Sequence, residues 1–279
     1  MVWTVAAGVP RSRLIGNAKA ATNEGFSFVQ ISDSHLGFDK PANPNVTATL
    51  QDALNDIAAM PKRPAFLIHT DDITHLSKPA KFDTAQQLMA ATKLAVHIVP
   101  GEHDILEEEG KSYLNRFGKG AKGDGWYSFA AGGVHFIGLV NVMNLQGNGL
   151  GALGHEQLEW LEADVEQLTA STPIVVWTVY ADWGWGTSDG AQALSYLKKF
   201  GSVTVLNGHI HQTMQKVEGH VAFHTVCSTA FPQPAPGSAK SPGPMLVPAA
   251  ELKQHLGIAH VSLVSSNAPL AIVDTPLAG

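Results

Sequence analysis

Phe26-Ser-Phe-Val-Gln-Ile-Ser-Asp-Ser-His35 decides how the rest of the chain is read. Phe26 to Ile31 reads as a strand, and Ser32-Asp33-Ser34-His35 ends it. Working outward, Leu50, Leu54, Ile57 and Ala58 recur at helical spacing, which predicts a helix from Thr47 to Met60, with Pro61 just beyond it. Ala65 to His69 reads as a second, buried strand running into Thr70-Asp71-Asp72. A helix over Pro79 to Thr92 leads to a third strand, Ala95 to Val99, and to the turn Pro100-Gly101-Glu102-His103-Asp104. Strands and helices alternating at this spacing call for a parallel sheet built from right-handed crossovers.

Further along, Trp126 to Ala130 and Val134 to Val140 flank Ala131-Gly-Gly133, which reads as a hairpin. A helix from Gly154 to Leu168 precedes the apolar run Pro173 to Tyr180 and the loop Asp182-Trp-Gly-Trp-Gly186. Another helix, Gly190 to Phe200, precedes the strand Ser202 to Leu206 and the turn Asn207-Gly-His-Ile-His211. Short strands follow near Met214 to Val217, Val221 to Val226, Ile258 to Val264 and Leu270 to Val273. Prolines at 232, 234, 236, 242, 244 and 248 make residues 231–248 an extended strap across the surface. Residues 1–25 are expected to form an N-terminal extension, and residues 26–279 a single domain that includes the strap.

The chain has 279 residues, with 44% hydrophobic and 15% charged, enough to bury a large core and too apolar for disorder. The single cysteine, Cys227, excludes a disulfide framework and thiolate metal clusters, so any metal must be held by nitrogen and oxygen. A net charge of −6 without a long basic run argues against a nucleic-acid surface. No apolar run is long enough to span a bilayer, so the protein reads as soluble, in the cytoplasm or periplasm. Met1 to Val9 is mostly apolar, but Arg11 and Arg13 follow it, the reverse of a secretory signal. The segment reads as a short first strand or as the tail of a targeting peptide. The low charge and the proline strap allow a subunit contact.

The 13 histidines are the unusual count. Polar clusters fall at the carboxyl ends of the strands, where open parallel sheets collect ligands. Asp33 and His35 are two apart and project to one side if the strand extends that far. Asp72 ends the second strand and Glu102-His103-Asp104 the third; His209 and His211 repeat the two-residue spacing. Converging carboxylates and imidazoles suit two divalent cations, with one carboxylate able to bridge.

Asp33-Ser-His35, Asp71-Asp72, Gly101-Glu-His-Asp104 and Gly208-His-Ile-His211 together resemble the calcineurin-like metallophosphoesterases. That family's pattern is Asp-x-His, Gly-Asp, Gly-Asn-His-Asp or Glu, a lone His, and Gly-His-x-His. The match runs in order from Phe26 to His211. Asp72 to Pro79 also resembles the branch near bacterial cyclic-nucleotide phosphodiesterases. The resemblance implies a four-layer α/β/β/α sandwich of two mixed sheets flanked by helices. It implies one metal held by Asp33, His35 and His211, a bridging Asp72, and a second metal held by Glu102 and His209. His103 would lie near the phosphate, protonating the leaving oxygen or stabilising transition-state charge, with Asp104 orienting its ring. The implied reaction is hydrolysis of a small phosphodiester or phosphomonoester by metal-activated water, with diesters favoured. Mn²⁺, Fe and Zn²⁺ all suit these ligands.

The chain departs from the pattern three times. Asp71 replaces glycine, and is expected to face solvent harmlessly, the alternative being a perturbed bridging site. Glu102 replaces asparagine and is expected to remain a ligand. The lone histidine is missing: Val176 runs into Trp177-Thr-Val-Tyr180, and no histidine occurs between His155 and His209. Asp182 is the nearest substitute. The rival reading is therefore a catalytically impaired metal- or phosphate-binding protein on the same fold. Trp183 and Trp185 would wall a substrate cleft or pack on the strap. His69, His97 and His135 are expected to be structural, and His155, His220, His255 and His260 to lie at the surface or at helix ends. His75 and His224 could touch substrate or support a ligand. Glu107-Glu-Glu109 is expected to be the acidic first turn of a helix, and Gly147 to Gly151 a flexible turn.

Overall fold

The computed structural model describes residues 2–6, 9–13, 25–143, 151–179, 189–235, 237–263 and 270–277. Near the N-terminus β1 (Val2–Ala6) pairs antiparallel with β2 (Val9–Arg13). The chain then builds two sheets. In the first, β3 (Ser27–Ser32), β4 (Phe66–Thr70) and β5 (Ala95–Ile98) run parallel, and β12 (Gly257–Ser262) and β13 (Ala271–Pro276) extend it antiparallel, in the order β13-β12-β3-β4-β5. The second has the order β10-β11-β9-β8-β7-β6. Its strands are β6 (Tyr127–Ala131), β7 (Val134–Gly138), β8 (Ile174–Trp177), β9 (Val203–Asn207), β10 (Met214–Glu218) and β11 (Val221–Thr225). Here β7, β8, β9 and β11 are parallel, with antiparallel edges at β6 and β10.

Both sheets are buried on two faces, which is why their central strands are runs of apolar residues without alternation. Between the sheets lies a layer of Phe28, Phe66, Ile68, Phe136, Val175, Trp177, Leu206 and Val261. Phe28 and Phe66 stack at 5.2 Å, and Phe136 meets Phe28 edge-on at 5.3 Å, geometries that aromatic quadrupoles favour. The outer face of the first sheet is covered by α1 (Val46–Ala58) and α2 (Pro79–Ala91). α1 buries Leu50, Ala53, Leu54 and Ile57 and is capped by Asn45, whose side chain accepts from the Ala48 N–H. α2 opens on Pro79, where a missing N–H costs nothing. The second sheet is covered by α4 (His155–Glu166) and α5 (Gly190–Leu197). Helices, two mixed sheets and helices make four layers, as expected.

Glu107 to Glu109 does not open an α-helix; Glu108–Gly110 form a short, distorted 3-10 turn. Glu108 and Glu109 both have φ +52, a left-handed conformation that cannot continue a right-handed helix, and α3 (Lys111–Phe117) starts only after Gly110. His260 is half-buried within β12 rather than at a helix end or open surface. Among the described residues no helix is long and apolar enough to cross a membrane. Asp182, Trp183 and Trp185, like Gly147 to Leu150, lie outside the described residues.

Candidate metal centre

Parallel pairing brings the carboxyl ends of β3 and β4 level, with Ser32 opposite Thr70. The loops beyond stay joined: the Asp33 N–H donates to the Thr70 carbonyl at 3.2 Å and the His35 N–H to the Asp72 carbonyl at 3.0 Å. The end of β9 meets them from the other sheet. Buried Gln30 donates to the Asn207 carbonyl at 3.2 Å, and the His209 N–H donates to Asp33 Oδ2 at 3.1 Å. The motif residues of both sheets therefore meet at one edge of the sandwich.

Asp33 and His35 do not share a strand face as the extended reading expected. β3 ends at Ser32, and Asp33 and His35 have φ +50 and +42. Asp71, His209 and His211 are also left-handed, with φ +66, +72 and +54. Tight turns, rather than strand alternation, aim these side chains. Such conformations are costly for residues with a Cβ and cluster at functional sites.

His35 Nε2 and His211 Nε2 face each other at 3.2 Å, with Asp33 Oδ1 3.2 Å from His211 Nε2 and Asp72 Oδ2 3.5 Å from His35 Nε2. His211 Nδ1–H donates to the Phe231 carbonyl at 2.6 Å, which leaves the Nε2 lone pair directed into the cluster. Burial, reinforced by His211, His103, His75 and His209, lowers the His35 pKa well below 6.5 and keeps a neutral donor. Asp33 Oδ1 is buried and accepts no hydrogen bond. A nitrogen pair and an orphaned carboxylate oxygen, with Asp72 Oδ2 beside them, fit a divalent cation at these separations.

Beside this group, His209 Nδ1 lies 3.2 Å from Glu102 Oε1 and 3.9 Å from Asp71 Oδ2. Burial opposes the ionised Glu102, but the hydrogen bond and charge of His209 outweigh it and bring Glu102 down to about 2. Burial likewise lowers His209, and its Glu102 partner raises it above the ordinary value. Asp71 was expected to face solvent, and the structure overturns that: Asp71 is fully buried, and its Oδ2 accepts no hydrogen bond. Space for it comes from Gly101 and Gly208, since a Cβ on Gly101 would fall 2.3 Å from Asp71 Oδ1. Burial raises Asp71 and Asp72 well above the ordinary carboxylate range, as do the neighbouring carboxylates of Asp33, Glu102 and Asp104. Such a concentration of buried negative charge is relieved by cations.

Asp104 does not orient the His103 ring. Its oxygens accept from the Ile73, Thr74 and Gly101 N–H groups and the Thr74 hydroxyl, fixing the loops after β4 and β5 to each other. Burial raises Asp104 to about 7 against those bonds. His103 Nδ1–H donates instead to the His75 carbonyl at 2.6 Å. The His75 ring stacks on His103 at 4.8 Å and 18°, so His75 is part of the site. His224 is not; its Nε2 pairs with Asp274 at 3.0 Å and ties β11 to β13. Sequence reasoning missed the Phe231 and His75 carbonyls, because backbone acceptors leave no mark in residue identity. β8 and the two described residues that follow it, 174–179, contain no histidine or carboxylate.

The calcineurin-like phosphoesterase family model matches residues 26–213. Purple acid phosphatase 23 of Arabidopsis thaliana is 32% identical over 102 residues, covering 33% of this chain and 21% of that protein. Purple acid phosphatase 15 of the same plant is 28% identical over 138 residues, covering 43% and 25%. The matched part is thus a quarter or less of these relatives' length. Among solved structures, the GAP50 anchor of the inner membrane complex of Plasmodium has a TM-score of 0.58 at 14% identity, covering 90% of this chain and 84% of that one. A 5'-nucleotidase from Candida albicans has 0.54 at 12%, covering 91% and 51%. At such identities the structural likeness shows the fold alone. The ordered motifs, the two-sheet sandwich and the family match over residues 26–213 place the chain in the calcineurin-like phosphoesterase family.

Proposed function

We propose that the protein hydrolyses a small phosphate ester with the help of divalent cations. The observation that carries this reading is the pair of Nε2 atoms of His35 and His211, 3.2 Å apart, facing the unsatisfied Asp33 Oδ1. Asp33, His35 and His211 would hold one cation, Asp72 would bridge, and Glu102 and His209 would hold another. Mn²⁺, Fe or Zn²⁺ held by these residues would supply Lewis-acid charge to the phosphoryl group and would make water more acidic. The matched purple acid phosphatases are phosphatases by name, which supports phosphate-ester hydrolysis.

The chain's own groups do the positioning. Asp72 Oδ1 accepts from the His103 N–H at 2.8 Å, which ties the bridging carboxylate to the loop bearing the proposed acid. The His103 Nδ1–H bond to the His75 carbonyl fixes the ring so that Nε2 is the nitrogen left to hold a proton toward a leaving oxygen or to stabilise its charge. His75 stacks behind it and limits its rotation.

The missing histidine after β8 favours a second reading, a binding protein with little turnover. One experiment separates the two: hydrolysis of an aryl phosphodiester and an aryl phosphomonoester with added Mn²⁺. Asp72→Ala is expected to fall to background, and His103→Ala to lose roughly 100- to 10,000-fold in kcat. Equal rates for wild type and Asp72→Ala would leave the binding protein standing.

A further inference from the structure

Asp71 occupies a place that favours glycine twice over. Its φ of +66 costs a residue with a Cβ and costs glycine nothing, and its carboxylate is fully buried. Oδ1 accepts from the Asp72 N–H at 2.9 Å, which accounts for one oxygen. Oδ2 is buried without a hydrogen bond and points toward the Glu102 and His209 side of the cluster, 3.9 Å from His209 Nδ1. Glu102 Oε2 is buried and unsatisfied in the same way. Donor atoms of Asp71, Glu102 and His209 all lie within 4.8 Å of one another, and so do those of Asp33, Asp71 and Asp72. The side chain fits only because Gly101 and Gly208 lack a Cβ; one on Gly208 would lie 2.9 Å from Asp71 Cβ.

We propose that Asp71 is a ligand of the second cation, a carboxylate supplied from the end of β4 in place of the histidine missing after β8. The inference rests on the metal-dependent reading above. It changes the character of the second site. The first site has two imidazoles, from His35 and His211, and suits Zn²⁺ or Fe. The second has three carboxylates, from Asp71, Asp72 and Glu102, with only His209 as nitrogen. Oxygen-rich sets favour Mn²⁺ or Mg²⁺ over Zn²⁺. The two sites therefore prefer different metals.

The test is Mn²⁺ binding to the metal-stripped full chain, followed by calorimetry and by the electron paramagnetic resonance of free and bound Mn²⁺. Wild type should take up two ions. Asp71→Gly should keep one with affinity within about threefold and lose at least about tenfold in the other. Metal-free Asp71→Gly should melt at or above wild type, because glycine adopts φ +66 freely and a buried carboxylate is gone. If it melts lower, Asp71→Asn, which keeps the bond to the Asp72 N–H, carries the comparison and should show the same selective loss. Two equally tight ions in the variant, or one in wild type, would overturn the role of Asp71. The phosphoesterase reading would survive either result, provided that Asp72→Ala still abolished hydrolysis. No ion bound to wild type and no effect of Asp72→Ala on hydrolysis would overturn both.

Discussion

At the scale of single residues, local rules and long-range surroundings give opposite answers for the same side chain. Asp71 reads as a harmless surface substitution because a sequence shows only that glycine became aspartate. Its burial depends on Gly101 and Gly208, far away in the chain, leaving room for it. Asp104 follows His103 directly, yet its oxygens go to Ile73, Thr74 and Gly101, since buried N–H groups at loop ends demand acceptors more strongly than a ring does. His97 was legible as structural and shows why. Its ring stacks on Phe129 at 4.0 Å and meets Phe66 edge-on at 5.0 Å. Burial lowers its pKa from 6.5 to about 4. Below pH 6.5 the unfolded chain takes up a proton that the folded ring refuses. The stability associated with a neutral His97 is thus complete above pH 6.5 and is lost as the pH falls toward about 4. Full shielding would make this loss about 3 kcal/mol, and partial exposure makes it smaller. His97→Phe should remove that part of the slope, so urea denaturation from pH 7.5 to 4.5 should show the variant gaining on wild type as the pH drops.

At the scale of elements, most strands and helices were readable to within about three residues, because buried strands are short apolar runs bounded by glycine, proline and acidic turns. The run Pro173 to Tyr180 holds only the shorter β8, and β2 was not read. Less legible was what the connecting segments do. The proline strap was expected as a surface cover, whereas its first residue, Phe231, is buried and supplies the carbonyl that orients His211. The turn after β9 is equally exacting. A Cβ on Gly208 would stand 2.0 Å from Ser32 Oγ and 2.6 Å from Asp33 Oδ2. Gly208→Ala should therefore push the turn away from β3, lowering stability by about 1–3 kcal/mol. Because the same turn carries His209 and His211, Mn²⁺ affinity should fall with it. Chemical denaturation and metal titration of one preparation measure both effects, and an alanine variant equal to wild type in both would contradict the close approach.

At the scale of the whole molecule, the site is assembled from both sheets. Asp33, Asp71, Asp72 and Glu102 come from the ends of β3, β4 and β5, while His209 and His211 follow β9. Cations held there would join the two halves of the sandwich, and unfolding would have to release them. At a free Mn²⁺ concentration one hundred times the dissociation constant, each bound ion should add about 2.7 kcal/mol to stability. Thermal melts of stripped and reloaded protein should differ accordingly, and identical melts would count against cation binding. The pairing of β12 with β3 has a consequence for how the chain is made. β3 is central in its sheet, yet one neighbour is synthesised more than two hundred residues later. At cellular translation rates, the open side of β3 waits on the order of ten seconds or longer on the ribosome. Until Gly257 to Ser262 emerge, a nascent chain exposes an apolar strand edge suited to binding a chaperone or another chain.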